Sequence, residues 1–221
     1  MVSIGRIALT EPYPYPVFLR LGGRKCVVVG GGTVASRKVS ELLDAGADVT
    51  VIADIPNERL EALAEANEIT LQRRAFESGD MDGAFIVFAA TDDDEVNAEI
   101  ASLGSKSGAL VNAVDNPPHC DFFSAGVLKR GPLRIAVSTS GFCPAAASTI
   151  RRELETQYGE SYGEYLVYAC DMRQYVLRQD SLPKDTKDRA LKWLGQKETY
   201  TLYIETGKDG VWAELEKIIS C

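Results

Sequence analysis

The sequence is poor in the side chains that most often carry chemistry. It holds a single histidine, His119, and its five cysteines, Cys26, Cys120, Cys143, Cys170 and Cys221, are scattered without a CxxC pair. An odd, unpaired set of thiols argues for reduced cysteines in a cytoplasmic protein, and against a disulfide framework or a structural zinc site. Long apolar runs are missing too. Nothing reaches the roughly 18 residues of a membrane-spanning helix, and the opening MVSIGRIALTEPYPYP lacks the apolar stretch of a signal peptide, so neither a span nor export is expected. Positive charge is short: 24 Lys and Arg stand against 32 Asp and Glu, a net charge of -8. That field repels nucleic acid and anionic membrane, so no partner of either kind is expected, and an acidic ligand needs cations placed locally.

What is present is glycine in one telling place. In VVVGGGTVASRK, Val27 to Lys38, a buried strand runs into a glycine turn and then into a helix. Gly30 and Gly32 fill the first two positions of G-x-G-x-x-G/A and Ala35 the third. Gly30 permits the tight turn, and Gly32 lets backbone approach a phosphate without a Cβ in the way. A small residue at Ala35 lets helix and strand pack closely. The N–H groups of Gly31, Gly32, Thr33 and Val34 and the positive end of the helix dipole then face an anion, which makes Gly30 to Ala35 a candidate dinucleotide site. The alternative is a glycine turn that only packs.

Strand and helix alternate from there. Arg24 to Val29 reads as the first strand, Thr33 to Ala45 as a helix stopped by Gly46, and residues 47–53 as the second strand. The acid that usually ends the second strand and accepts the ribose hydroxyls is missing: Ala53 is there, with Asp54 one residue beyond. Asp54 either reaches the ribose or caps the helix that begins near Asn57. No arginine follows at once to hold a 2′-phosphate, which favours NAD over NADP. ITLQRRAF gives a third strand, with Arg73 and Arg74 read as solvated edge charges and ligand contact as the alternative. AFIVFAAT is an apolar run suited to a strand buried on both faces, ended by Thr91 and Asp92. After another helix, ALVNAVD supplies a fifth strand ending in Asn112 to Asp115. The pattern predicts a Rossmann-like, doubly wound α/β sheet whose ligand lies beyond the carboxyl ends of the strands. Asp54, Thr91 and Asp92 join the glycine turn as candidate cofactor residues.

The segments YPVFLRLGGRKCVVVGGGTVASRKV, FAATDD and VNAVDNPPHCDFFSAGVLKRGPLRIAVSTSG, with the helix containing IRRELE, recur in order and resemble the siroheme synthase N-terminal family. The resemblance runs from about Tyr15 to Leu154. It implies NAD-dependent oxidation of precorrin-2 to sirohydrochlorin by a homodimer whose partner completes a tetrapyrrole cleft. In bifunctional members it also implies insertion of ferrous iron, with cobalt as another metal substrate. On this view residues 1–113 form an NAD-binding domain, 114–148 a small α+β dimerisation segment and 149–221 a helical C-terminal domain. Asp115 falls on the aspartate of the family motif, where a carboxylate can take the proton released as hydride leaves the substrate. An Asx turn after the strand is the alternative role. Asn112 and the loop Ser138, Thr139, Ser140, Gly141 become candidate substrate contacts, the loop alternatively serving as a helix cap. Ala125, Phe142 and Cys143 depart from the family pattern. A metal site at His119, Cys120 and Asp121 is disfavoured because neighbours on extended chain point apart.

Precorrin-2 carries many carboxylates, so Arg37, Lys38, Lys129, Arg130, Arg134, Arg151 and Arg152 are candidates for a basic lining. Helices are expected over Ala145 to Tyr158, Ser161 to Gln179, Lys184 to Thr206 and Val211 to Ile219. Two rivals use the same glycine turn: a nucleotide-sensing module of the kind attached to potassium transporters, and an NAD(P)-dependent oxidoreductase for another acidic substrate.

Overall fold

The computed structural model describes residues 14–114 and 116–220. The chain divides into two compact units with the boundary between Phe123 and Ser124. In the first unit, strands β1 (Lys25–Val29), β2 (Asp48–Ile52), β3 (Thr70–Gln72), β4 (Ile86–Ala89) and β5 (Leu110–Ala113) alternate with helices α1 (Thr33–Asp44), α2 (Glu58–Glu65) and α3 (Asp94–Ser107). All strand pairs are parallel and the order is β3-β2-β1-β4-β5. This is the doubly wound sheet that the alternation predicts.

Strand alternation explains why both faces of the sheet need covering. Cys26 and Val28 pack with Val49, Val51 and Phe88 on one face, where α1 adds Ala35, Val39 and Leu42 and α2 adds Leu60. Val27 and Val29 pack with Val87 and Ala89 on the other, under Ile100 and Ala101 of α3. Burial pushes the Cys26 thiol up to about 11, so this cysteine behaves as a core side chain. Close packing reaches the helix backbone at Gly104, where a Cβ would meet Val111 Cγ2 at 2.0 Å.

The second unit opens with an antiparallel hairpin, β6 (Gly126–Arg130) and β7 (Leu133–Val137), followed by helices α4 (Pro144–Gln157), α5 (Glu160–Arg178), α6 (Lys184–Leu194) and α7 (Lys197–Ser220). A Cβ on Gly163 would lie 2.7 Å from the Arg130 carbonyl carbon, so α5 and the hairpin turn meet backbone to backbone. Arg130 secures that contact by donating to the Tyr158 carbonyl at 3.0 Å and pairing with Glu160. The expected helix over 184–206 is two helices, because Gly195 ends α6 with its N–H on the Lys192 carbonyl. The expected break between Thr206 and Val211 is a kink within α7 at Gly207 (φ 70°). Among the described residues no helix is long and apolar enough to cross a membrane.

Candidate functional site

The carboxyl ends of β1, β2 and β4 open onto a cleft of about 690 Å³. The three glycines in its floor answer to different demands. Gly30 has φ 130°, and a Cβ there would strike the Ala90 carbonyl oxygen at 2.2 Å. Gly31 has an ordinary φ, yet its Cβ would strike the Ile55 carbonyl oxygen at 2.1 Å. Around Gly32 a Cβ would meet nothing within 4 Å. The first two are therefore demanded by the protein's own packing, and the third leaves open space at the mouth of α1. Gly32 is the N-cap of α1 and makes no side-chain cap, and the first turn carries no acid. Free N–H groups, a positive helix end and a missing Cβ fit a dinucleotide pyrophosphate. Ala35, fully buried, holds α1 close to β1.

Side chains that the sequence reading passed over hold this turn in place. Asn57 Nδ2 donates to Ser36 Oγ at 2.8 Å, and Ser36 Oγ lies 3.1 Å from the Gly32 carbonyl oxygen to which it donates. Asn57 Oδ1 accepts the Leu60 N–H at 3.1 Å, and the Asn57 N–H donates to the Gly31 carbonyl at 2.9 Å. Asn57 is thus the cap of α2, which leaves Asp54 exposed on the cleft wall and removes the capping role allowed for it. Their only signal in the sequence was an N-cap residue type just before a helix.

Thr91 and Asp92 also line the cleft. The Thr91 hydroxyl is tied inward, 2.9 Å from Asn97 Oδ1, and Asn97 Nδ2 donates back to the Thr91 carbonyl at 3.0 Å. Asp93 caps α3 through the Glu95 and Val96 N–H groups. Arg74, read as a solvated edge charge, stands in the cleft wall, and its fork binds Asp80. That pairing holds the Asp80 carboxyl below its usual range. Arg73 is committed to Glu61.

Asn112 is buried and donates to the Phe122 carbonyl at 2.7 Å, and it does not line the cleft. Asp115 lies outside the described residues. Cys120 turns its thiol onto the Ala113 carbonyl, and Asp121 Oδ2 accepts the Val111 N–H, so both serve the end of β5, while His119 is exposed. Burial raises the Cys120 pKa. Lys38, a candidate for a basic lining, is buried against Phe88 and paired with Glu41.

In the second unit, the loop Ser138 to Gly141 carries Ser140 at φ 52°, a left-handed conformation rare outside glycine. Ser138 Oγ accepts the Ser140 N–H and Thr139 Oγ1 accepts the Cys143 N–H, so two hydroxyls brace the loop ahead of α4. Arg151 pairs with Glu155, and Arg134 folds onto the Gly131 carbonyl.

Sheet order, glycine turn and cleft together define a Rossmann-type NAD(P)-binding domain. Residues 17–126 match the model of a family assigned to NAD(P) binding, and residues 130–157 match the sirohaem biosynthesis protein central family. The siroheme synthase of Nitrosococcus oceani is 40% identical over 161 residues, 73% of this chain and 34% of that protein. The siroheme synthase of Thioalkalivibrio sulfidiphilus is 36% identical over 207 residues, 93% of this chain and 42% of that protein. The solved structure of SirC, a precorrin-2 dehydrogenase, superposes with a TM-score of 0.80 at 26% identity, covering 92% of this chain and 100% of that one. The chain is thus similar to siroheme synthases in sequence and to SirC in fold, and it spans 34% of the length of the first of these curated relatives.

Proposed function

We propose that this chain oxidises precorrin-2 to sirohydrochlorin with NAD as hydride acceptor. The observation that carries the reading is the likeness to SirC over the whole of that chain, together with a cleft floor that keeps space open at Gly32. Bound there, the nicotinamide supplies the hydride-accepting carbon. Thr33, Val34 and the turn glycines hold the pyrophosphate through main-chain N–H groups, with Asp54 at the ribose and Thr91 and Asp92 on the opposite wall. Asp115 takes the proton that leaves the substrate as its ring carbon gives up hydride. The Ser138–Gly141 loop contacts the tetrapyrrole, and Asn112 supports the end of β5 from beneath through its bond to the Phe122 carbonyl.

The active form in this reading is a homodimer. None of the 14 residues of α4 is buried, and Val127, Phe142 and Ile150 are 39%, 56% and 43% exposed, apolar surface of the kind an interface covers. The relatives' name also favours a second step, insertion of ferrous iron into sirohydrochlorin, with the metal as substrate.

Mixing the protein with NAD and precorrin-2 is expected to convert the visible spectrum to that of sirohydrochlorin. Pure substrate left unchanged would sink the reading and return the field to the two rivals. Asp115→Ala is expected to slow turnover by about a hundredfold or more with NAD binding retained. Full turnover in that variant removes Asp115 from the proton step.

A further inference from the structure

We propose that the Arg74–Asp80 pair sets the nucleotide preference of the cleft, admitting NAD and rejecting its 2′-phosphorylated counterpart. The proposal rests on the dinucleotide reading above.

In sheets of this order the adenosine ribose lies beyond the end of the second strand, where an acid selects the free hydroxyls or a nearby arginine accommodates a 2′-phosphate. Neither device stands in its usual place. Ala53 closes β2 without a charge, its N–H bonded to the Gln72 carbonyl of β3 at 3.0 Å. Two residues beyond Gln72 is Arg74, the only cation among the described residues lining the cleft. A cation beside the ribose position would ordinarily invite a phosphate.

This one is already taken. Arg74 Nη1 donates to Asp80 Oδ2 at 2.8 Å and Nη2 to Oδ1 at 2.5 Å, with a further bond from Nη2 to Gln72 Oε1. Nη1 also reaches the Ala75 carbonyl at 2.9 Å. The Asp80 side chain is only 8% exposed, and it also accepts the Glu77 N–H at 2.8 Å. Turning Arg74 toward a 2′-phosphate would leave that carboxylate buried without its partner, the costly outcome of breaking such a pair. Asp54, Asp92 and Asp93 on the same cleft add repulsion for a dianion and none for a hydroxyl. Selectivity here comes from a cation that is present and withheld.

The test is calorimetric titration of the full chain with NAD and with NADP separately, without tetrapyrrole. NAD is expected to bind at least about tenfold more tightly, a factor worth roughly 1.4 kcal/mol. Asp80→Asn keeps an oxygen for the Glu77 N–H while releasing the guanidinium, and it is expected to tighten NADP about tenfold and leave NAD within about twofold. Adding Arg74→Gln to Asp80→Asn should restore the original preference. Equal binding of the two nucleotides by the unaltered chain, or an unchanged ratio in Asp80→Asn, overturns the proposal and leaves the dinucleotide reading standing. Failure of both nucleotides to bind overturns both. Should Asp80→Asn not fold by circular dichroism, Arg74→Gln alone decides: a withheld arginine predicts an unchanged NADP affinity, and a loss of NADP affinity shows that Arg74 reads the phosphate directly.

Discussion

The two units of this chain are stabilised in different ways. The first buries aliphatic side chains on both faces of a parallel sheet, and its cleft is made of main chain: three glycines, strand ends and a helix mouth. The second relies on rings. Tyr162 meets Tyr158, Tyr165 and Tyr200 edge to face, Tyr165 contacts Tyr203, and Tyr203 stacks on Tyr168. The hydroxyls are used as well: Tyr165 donates to the Leu194 carbonyl at 2.6 Å and Tyr168 to the Lys208 carbonyl at 2.9 Å. The contrast teaches that the first unit is sensitive to added atoms, because its site is built from missing side chains. The second is sensitive to removed ones.

The strongest way to sharpen that contrast is Gly31→Ala. One methyl group would press on the Ile55 carbonyl and the Pro56 Cα, both backbone, with the Asn57 N–H bond to the Gly31 carbonyl holding the segments together. Urea unfolding is expected to show a loss of about 3 to 5 kcal/mol. A midpoint within experimental error of the unaltered chain would mean that the loop yields and that the floor is not packed as described. In the second unit, Tyr165→Phe removes one buried hydroxyl and strands the Leu194 carbonyl, an expected loss of about 1 to 2 kcal/mol. Burial raises the Tyr165 pKa to about 12 from 10.0. The folded state therefore disfavours the phenolate: the stability is intact below pH 10 and is lost as pH rises from there through about 12. Tyr165→Phe should flatten that alkaline decline, followed through the fluorescence of Trp193 and Trp212, both in this unit. An unchanged alkaline slope would assign the decline to other groups.

These experiments also mark where the sequence was legible. Apolar strands next to a glycine turn are local signals, so the sheet, α1 and the roles of Gly30 and Ala35 followed from periodicity and spacing. Gly31 was not legible as a packing residue, because the motif leaves its position free and the atom that forbids a Cβ belongs to Ile55, far along the chain. The Ser36–Asn57 bridge and the Arg74–Asp80 pair depend on which loops meet over the strand ends, which no periodicity encodes. In the second unit both Gly195 and Gly207 can break a helix. Both do: Gly195 ends α6, with the Thr199 hydroxyl reaching the Trp193 carbonyl at 2.6 Å across the break, and Gly207 leaves helical geometry at φ 70° within α7.

The smallest expected change in stability carries the most information about function. Gly32→Ala adds a methyl group where nothing lies within 4 Å, at a residue whose φ of -87° any amino acid adopts. Neither clash nor backbone strain opposes it, and the remaining cost is that alanine caps a helix less well than glycine, so urea unfolding should show a loss of no more than about 1 kcal/mol. The same methyl group projects into the space where the turn's N–H groups would meet a phosphate, and there it would hold the anion off by about the width of a carbon atom. Charge-assisted hydrogen bonds weaken steeply with such a displacement, so NAD affinity is expected to fall by about a hundredfold, roughly 2.7 kcal/mol. Stability and binding would then separate cleanly at one atom: Gly31 keeps the floor folded, and Gly32 keeps it open. If Gly32→Ala bound NAD as tightly as the unaltered chain, the open space above α1 would not be where the pyrophosphate lies, and the cleft would have to take its ligand elsewhere along the strand ends.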